Sequence, residues 1–256
     1  MARKVYPPGY QGCYRCKQIK PLDEFYPSTP YTCKSCKRDH VKAWNAANRE
    51  QHESNKLRGI RRNQAYLYSY LSDKRCGHCG CSDLLVLELH HLFGKQRRSH
   101  NVSSLVNGGA SLQRVKDELA KCEVLCRNCH IVEECRLRYE QGQSDFRYAY
   151  QYHNETPTFP HTQQITKKRY LLDYFKAHPC IDCGATNVVF LQFDHVRDDK
   201  TANVGWLLNN RGFDDMVAEI TKCDVVCANC HVYRTIQRAE TFRYNYIKEK
   251  EAENLT

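Results

Sequence analysis

The sequence predicts an α+β fold built from small modules, and two observations support this prediction: the pattern of cysteines and an internal repeat. The chain has 256 residues and 16 cysteines, most of which occur as CxxC pairs. The stretch "KCEVLCRNCH" at 121–130 returns as "KCDVVCANCH" at 222–231. A repeat with a period of about 100 residues is too long for a solenoid unit and favours two domains in tandem.

Each half of the repeat has the same predicted order of elements. The stretches "LLVLELHH" (84–91) and "VVFLQFDH" (188–195) are short, apolar and rich in β-branched or aromatic residues, which predicts strands. Both strands end on a histidine that stands 15 residues after the first cysteine of the preceding CxxC pair.

Helices are predicted on either side of the second CxxC pair in each half. Apolar stripes at helical spacing precede that pair. Their residues are Leu112, Val115 and Leu119 in the first half, and Val217, Ile220 and Cys223 in the second. The segments "IVEECRLRYE" and "VYRTIQRAETF" follow the pair, and both lack helix breakers, which predicts a second helix in each half.

The predicted domains follow from the repeat and from local composition. A polar stretch that contains Pro157 and Pro160 favours a linker between the halves, and the charged C-terminus favours a solvated tail. The boundaries are an N-terminal module at 1–62, copy one at 63–140, a linker at 141–164, copy two at 165–246 and a tail at 247–256.

Composition narrows the compartment and the class of partner. The chain has no run of 18 apolar residues, and its N-terminus lacks the apolar segment of a signal peptide. We therefore expect a soluble, intracellular protein that does not enter a membrane. The formal net charge of +10 favours a polyanionic partner such as nucleic acid, although charge alone does not separate such a protein from one with a solvated basic surface.

Cysteines that occur as CxxC pairs in a reducing compartment favour metal binding over disulfides. Two such pairs separated by a folded loop offer four thiolates to tetrahedral zinc, so three structural Zn²⁺ sites are predicted. Their ligands are Cys13, Cys16, Cys33 and Cys36; Cys76, Cys79, Cys126 and Cys129; and Cys180, Cys183, Cys227 and Cys230. The remaining cysteines are expected to be reduced and to act as small apolar side chains; they are Cys81, Cys122, Cys135 and Cys223.

Zinc does not account for the histidines beside these cysteines. In copy two, Asp194 and His195 end the strand, and His231 follows the last zinc ligand. A carboxylate and an imidazole that converge form an open site for a divalent ion, with His195 left as a base. An isolated histidine is more often a packed one, but His91 and His130 recur at the equivalent positions of copy one.

This layout of CxxC, DH and CxNCH resembles the HNH (ββα-metal, His-Me finger) endonucleases, particularly phage-type members related to recombination endonuclease VII. The resemblance covers 76–138 and 180–240. It implies a metal-dependent DNA endonuclease with two tandem ββα-metal domains. By this resemblance Asp194 and His231 hold a catalytic Mg²⁺ or Mn²⁺ ion, and His195 deprotonates the water that attacks phosphorus.

The resemblance also implies an asparagine that orients the loop bearing the base. Asn229 is the preferred residue in copy two, and Asn203 and Asn209 are its alternatives. Asn128 is the equivalent of Asn229 in copy one. On the helix after the last zinc cysteine, the arginines of copy two are expected to contact DNA phosphates. They are Arg234 and Arg238.

Copy one departs from this pattern in two ways. His90 replaces the aspartate, and a pair of imidazoles with His130 suits Zn²⁺ or Ni²⁺ better than Mg²⁺. Glu133 and Glu134 stand where carboxylates would repel phosphate. We therefore expect copy two to be the principal catalytic centre. Copy one, with His91 as its base, is expected to be a weaker nuclease, a differently metallated one or a relic that positions DNA.

The N-terminal module joins a pair of CxxC motifs to a basic helix and resembles the small zinc module that precedes phage HNH domains. Its candidate phosphate contacts, which would be sequence-tolerant and sensitive to salt, are Lys37, Arg38, Arg61 and Arg62. Tyr14 and Tyr31 are expected to pack beneath the cysteine turns rather than to stack on bases.

Two other classes of function fit parts of the sequence. A non-catalytic zinc-finger protein that binds nucleic acid would need the same thiolates and the same charge. An assembly module with zinc-stabilised contacts to other proteins would not need the positive charge. The set of Asp194, His195 and His231 favours the nuclease, because a pure binder has no use for it.

Overall fold

The chain divides into two units, Met1–Arg61 and Arg62–Thr256, in a computed structural model. The structure describes residues 6–92, 100–143, 145–155, 162–197, 199–239 and 241–253. Helices combine with two-stranded antiparallel sheets throughout, which confirms the α+β prediction. Within the described residues, no helix is both long and apolar enough to cross a membrane.

The first unit has very little apolar side chain to bury. Among its described residues, the core cluster consists of Cys13, Phe25 and Cys33, with Cys16 and Cys36 packed against them. Its elements are β1 (Tyr10–Gly12), β2 (Ile19–Pro21), a single 3-10 turn (Leu22–Glu24), β3 (Phe25–Tyr26), β4 (Thr29–Cys33) and helix α1 (Lys34–Ala47). Helix α2 (Arg49–Ser72) follows. A core made mostly of cysteines is too small to stabilise a fold alone, so the unit needs a further source of stability.

The two copies have the same order of elements. In copy one these are β5 (Leu87–His91), α3 (Val102–Asn107), α4 (Leu112–Leu119), β6 (Cys122–Cys126) and α5 (Arg127–Glu140). In copy two they are β7 (Leu191–His195), α8 (Val204–Asn210), α9 (Phe213–Ile220), β8 (Cys223–Cys227) and α10 (Ala228–Ala239), preceded by α7 (Thr162–Ala177). The hairpins share one register, because His91 pairs with Cys122 and His195 pairs with Cys223.

Each hairpin packs its inner face on the helix that precedes it. In copy two, Leu191 and Val226 are fully buried with Leu172 and Phe175 of α7. In copy one, Leu87 and Leu125 are buried with Leu71 of α2. Alternate strand residues point inward because side chains alternate between the faces of a sheet. Each histidine and its neighbouring ligand candidate thus lie at the end of a strand held by packing.

The predicted stripe of Val217, Ile220 and Cys223 is wrong at its last member. Helix α9 ends at Ile220, and Cys223 is the first residue of β8, where it pairs with His195. Strand β6 begins at Cys122 in the same way. The spacing of apolar residues predicted a helix that reaches Cys223. Pairing with the distant strand β7 places this residue in a strand instead. Each copy consequently forms two strands followed by a helix.

The predicted linker at 141–164 contains helix α6 (Phe146–His153), in which Tyr148 and Ala149 are buried. Residues 144 and 156–161 of this segment lie outside the described residues. The predicted tail at 247–256 is helical as far as Glu253 in α11 (Phe242–Glu253), and residues 254–256 lie outside the description. Both segments thus contain helix, which the sequence reading did not predict for the linker or for the tail.

Helices α6 and α11 each follow one copy and bond to the other. Arg147 of α6 donates to the carbonyl oxygens of Val188 (3.5 Å) and Leu191 (3.0 Å) in copy two. Arg243 of α11 donates to two carbonyl oxygens of copy one, those of Leu85 (2.8 Å) and Leu87 (3.2 Å). Because each copy is completed by the helix that follows its partner, the two copies form one interlocked unit rather than separate tandem domains.

Candidate metal centres and the cleft of copy two

Three clusters of four cysteines match the three predicted sets. Within each cluster the four Sγ atoms all lie within 4.8 Å of one another. The Sγ–Sγ distance is 3.9 Å between Cys16 and Cys33, 3.7 Å between Cys79 and Cys126, and 3.7 Å between Cys183 and Cys227. Four sulfurs bound tetrahedrally to zinc at about 2.3 Å are about 3.8 Å apart, whereas a disulfide needs about 2.05 Å. The clusters therefore fit zinc.

One tight turn builds the first half of each cluster. The residue after its second cysteine has a left-handed backbone: Lys17 (φ 61°), Gly80 (φ 74°) and Gly184 (φ 75°). In each turn the N–H of that residue donates to the carbonyl oxygen of the first cysteine, at 2.8–2.9 Å. Glycine adopts this conformation without steric cost, and Lys17 adopts it at some cost. The same local geometry thus presents two thiols side by side in all three clusters.

Hydrogen bonding favours the thiolate form at one buried cysteine of each cluster. The hydrogen bond from Cys129 lowers the pKa of Cys126 to about 4. Burial raises the pKa of Cys13, but backbone N–H donors outweigh burial and lower it to about 6. The pKa of Cys180 is lowered by the same kind of backbone donors against the effect of burial. Thiolates are the form that binds metal.

The four remaining cysteines do not take part in these clusters. Burial raises the pKa of Cys122, Cys135 and Cys223 to about 11. Burial also raises the pKa of Cys81. These thiols stay protonated at neutral pH.

Each strand-end histidine is hydrogen-bonded to a buried glutamate. The Nε2 atom of His195 lies 2.9 Å from Oε1 of Glu219, and that of His91 lies 3.1 Å from Oε1 of Glu118. A lysine three residues after each glutamate binds its other oxygen, Lys222 at 3.0 Å in copy two. Sequence reasoning missed both glutamates, although the pattern ExxKC occurs in both halves of the repeat.

The charge of Glu219 fixes the orientation of the imidazole. Burial raises the pKa of Glu219, but donors from Lys222 and from the backbone of Thr201 and Ala202 outweigh burial and lower it to about 2. Glu219 is therefore ionised and accepts the proton of His195 Nε2, which leaves Nδ1 of that ring without this contact. The glutamate thus positions the histidine that the sequence proposes as a base.

Asp194 and His231 converge as the sequence predicted. Oδ1 of Asp194 lies 3.5 Å from Nε2 of His231, and Nδ1 of His231 lies 2.7 Å from Oε1 of Gln192. An ion about 2.1 Å from both atoms fits this separation. Gln192 accepts the proton of Nδ1, so the Nε2 lone pair faces Asp194. Burial lowers the pKa of His231, which keeps the ring neutral as a ligand must be.

Arg234 and Arg238 bind Asp194, where the sequence predicted contacts to DNA. Arg238 forms a bidentate pair with Asp194, with both N–O distances at 2.8 Å, and Arg234 lies 3.1 Å from the same carboxylate. Burial raises the pKa of Asp194, but these arginines outweigh burial and hold it below its usual range. Both carboxylate oxygens already accept hydrogen bonds, so a cation that binds Asp194 has to share it with these arginines or displace one.

A cleft of about 550 Å³ brings the predicted residues of copy two together. Asp194, His195 and His231 all line this cleft. Lys200, Asn203 and Arg238 contribute further polar groups to its wall. The cleft offers a base, a pair of ligand atoms and cationic groups in one water-accessible space.

The asparagines of the two CxNCH motifs bond to each other. The side-chain oxygen of Asn229 accepts the backbone N–H of Asn128 at 3.0 Å, and that of Asn128 accepts the N–H of Asn229 at 2.9 Å. These N–H groups belong to the first turns of α10 and α5, which lack intrahelical acceptors. The two asparagines thus join the copies. Of the two alternatives, Asn203 lines the cleft, and Asn209 donates to the carbonyl of Gly205.

Copy one assembles a different set of groups at the equivalent place. The rings of His90 and His130 meet edge to face with centroids 5.1 Å apart. Nδ1 of His130 lies 2.8 Å from Glu88, and Nε2 lies 3.6 Å from Glu134. Glu133 forms its ion pair with Arg136 rather than with either histidine. The site is rich in imidazole and carboxylate groups.

The basic residues predicted for the N-terminal module differ in exposure. Arg38 and Arg61 are exposed, and Lys37 is half-buried. Arg62, which falls in the second unit, donates to the carbonyl of Ala110 at 2.8 Å. The tyrosines beside the cysteine turns were expected to be packed, and the prediction is wrong: Tyr14 is 73% exposed and Tyr31 is 72% exposed.

Comparisons with protein-family models, with curated proteins and with solved structures find no match to this chain. The cysteine clusters and the cleft of copy two are therefore the basis for inferring function.

Proposed function

We propose that the protein is a metal-dependent DNA endonuclease of the HNH type, with copy two as its principal centre. The observation that carries the proposal is the cleft of copy two, where Asp194, His195 and His231 meet although they are far apart in the chain. A base beside a pair of ligands for a divalent ion can support hydrolysis of a phosphodiester.

The side chains of the cleft have separate roles. Nδ1 of His195 takes the proton of the attacking water, and the Glu219 carboxylate stabilises the imidazolium that results. Asp194 and His231 would hold the divalent ion, and Gln192 would keep the His231 ring in its ligating orientation. A Mg²⁺ or Mn²⁺ ion in that place supplies positive charge against the charge that develops on the phosphate.

The three cysteine clusters hold structural zinc in this proposal. Their sulfur spacings fit a tetrahedral ion, and the cluster of the N-terminal unit lies within a small core that needs stabilising. A structural zinc site contributes on the order of 10 kcal/mol of apparent binding free energy to such folds.

DNA is the proposed substrate because of charge. The chain has a net charge of +10, and Arg38 and Arg61 of the N-terminal module are exposed. Contacts of this kind are made to phosphates and carry no sequence preference.

A second candidate function is a zinc-stabilised protein that binds nucleic acid without cutting it. The observation in its favour is the bidentate pair between Arg238 and Asp194, which neutralises the carboxylate that the nuclease needs for its ion. In this alternative the arginine–aspartate network serves the stability of copy two.

Cleavage of supercoiled, linear and branched DNA in Mg²⁺ or Mn²⁺ distinguishes the two functions. We expect the wild type to cut and Asp194→Asn to cut at least about 100-fold more slowly, because one ion ligand loses its charge. Asp73→Asn, at an exposed carboxylate, is the control and should cut at the wild-type rate. Binding without cleavage in either metal would reject the nuclease, and an Asp194→Asn variant as active as the wild type would reject Asp194 as a ligand of the catalytic ion.

A further inference from the structure

A second cavity of about 500 Å³ lies in copy two beside the catalytic cleft. Helix α8 contributes to both spaces: Gly205 and Leu208 line the cleft, and Trp206 and Leu207 line the second cavity. Glu219, which binds His195, also lines the second cavity. The two spaces are therefore neighbours on either side of α8, separated by groups that belong to the proposed catalytic apparatus.

Trp206 gives this cavity an aromatic wall open to solvent. Its side chain is 48% exposed, although indole is among the most favourable groups to bury. The guanidinium of Arg211 lies over the same ring, 5.7 Å from its centre. An aromatic face with an arginine beside it is the arrangement on which nucleobases stack in proteins that bind single strands.

The charged groups of the cavity fit a nucleobase better than a phosphate. Two cations and two carboxylates line it, so their formal charges cancel. They are Arg211, Lys222, Asp215 and Glu219. A phosphate site needs a surplus of positive charge, whereas a base edge presents both donors and acceptors. Asp215 can accept from an exocyclic amine, and Arg211 can donate to a ring nitrogen or carbonyl oxygen.

We propose that this cavity binds an unpaired nucleobase of the DNA strand that occupies the cleft, stacked on Trp206. That the DNA strand lies in the neighbouring cleft rests on the proposed function, but binding of the base does not require cleavage. The preferred substrate is then DNA with a single-stranded or unpaired segment next to the scissile phosphate, and fully paired duplex is bound less well.

Of the two copies, only copy two contains a tryptophan. Asn101 and Asn203 precede the equivalent helices α3 and α8, and the third residue after each is Ser104 in copy one and Trp206 in copy two. Ser104 is exposed in its helix, so copy one presents a small hydroxyl at the place of the indole. This difference supplies a matched control within the same chain.

Tryptophan fluorescence tests the proposal, because the chain has only two tryptophans, Trp44 and Trp206. In the full zinc-loaded chain, Trp44→Phe leaves Trp206 as the reporter. A single-stranded DNA of about 12 nucleotides, added without Mg²⁺ or Mn²⁺, is expected to quench its emission. Trp206→Ala should weaken binding of that strand, measured by fluorescence anisotropy of a labelled copy, about tenfold or more.

Four controls make the result decisive. Trp206→Phe should retain most of the affinity because it retains an aromatic face, and Ser104→Ala should leave affinity unchanged. All variants should keep the zinc content and melting temperature of the wild type, since both positions are exposed. Mononucleotides should bind far more weakly than the strand; equal affinity would assign the cavity to free nucleotides and overturn the strand proposal.

Unchanged Trp206 emission with saturating strand, or unchanged affinity in Trp206→Ala, would also overturn it. Failure of the proposed function gives a different pattern. The protein would then show the quenching by the strand and the loss of affinity in Trp206→Ala, but it would cut no DNA. Such a protein has the base-binding cavity and is not a nuclease.

Discussion

Copy one and copy two share a backbone and differ in the charges placed on it. Both have a cysteine cluster, a hairpin in the same register and a histidine bound to a buried glutamate. In copy two a carboxylate, Asp194, faces His231 and is bound by arginines. In copy one an imidazole, His90, occupies that place, and the position of Arg234 is taken by Glu133.

The residues that determine the backbone fold of the copies are therefore different from those that determine the charges at the strand end. The cysteines, the inward-facing strand residues and the ExxK glutamates keep the backbone the same in both halves. A few side chains at the strand end and on the following helix then set the local charge. In the proposed function, the carboxylate of copy two would hold a hard divalent ion beside an anionic substrate, while the imidazoles of copy one would favour a softer ion.

The largest effect is expected from loss of a zinc ligand in either copy. Cys126→Ser and Cys227→Ser should each abolish folding of both copies, because α6 and α11 complete the opposite copy and a structural zinc contributes on the order of 10 kcal/mol. Zinc content and thermal unfolding followed by circular dichroism measure this. Cys81→Ser, outside the clusters, should keep three zinc ions per chain. A variant in which one copy stays folded would show that the copies are independent.

The strand-end histidines should differ strongly in their effect on cleavage. His195→Ala is expected to slow DNA cleavage about 10²–10⁴-fold, because its imidazole is the proposed acceptor of the proton of the attacking water. His91→Ala should leave the rate within about threefold of the wild type, as copy one lacks the Asp194 carboxylate. Single-turnover rates on the same DNA give both values. A larger loss in His91→Ala would reverse the ranking of the copies.

Glu219 should stabilise the fold in a pH-dependent way. Its pKa falls from 4.5 to about 2 on folding, so the stabilisation is fully present above pH 4.5 and is lost as the pH falls towards 2. At pH 7, Glu219→Gln should cost about 2–3 kcal/mol of unfolding free energy relative to the wild type.

Urea unfolding of both proteins at pH 7, 5 and 4 measures that difference, and comparison at each pH cancels the effect of acid on the cysteine clusters. Asp214→Asn, at an exposed carboxylate, should show no trend. A difference between Glu219→Gln and wild type that grows as the pH falls would contradict the assigned charge of Glu219.

The smallest effect is expected from the asparagines that join the copies. Asn128→Ala and Asn229→Ala should each cost about 1 kcal/mol, and the double variant should cost less than their sum because the two bonds depend on each other. Chemical denaturation of the four proteins of this cycle gives the coupling. Asn209→Ala, whose bond lies within one helix, is the control. Strict additivity would mean that the two copies do not cooperate at this contact.

Much of the candidate site could be predicted because its signals are local. CxxC spacing specifies a turn that presents two thiols, and the repeat shows which pairs belong together. The proximity of Asp194 and His231 could be predicted because each stands next to a structural feature, a strand end or a cysteine turn. The arginine partners of Asp194 could not be predicted, since an arginine on a helix face fits a phosphate or a carboxylate equally well.

By itself the sequence determined the three cysteine clusters, the strands that end on His91 and His195, and the duplication that places them. These depend on spacing within a few residues and on a period that is visible in the letters. Only the tertiary structure decided that Glu219 holds His195, that Arg238 neutralises Asp194, that Asn128 meets Asn229, and that α6 and α11 are exchanged between the copies. Each of these contacts joins groups 24 to 158 residues apart in the chain, where local pattern carries no information and packing of the whole unit selects the partner.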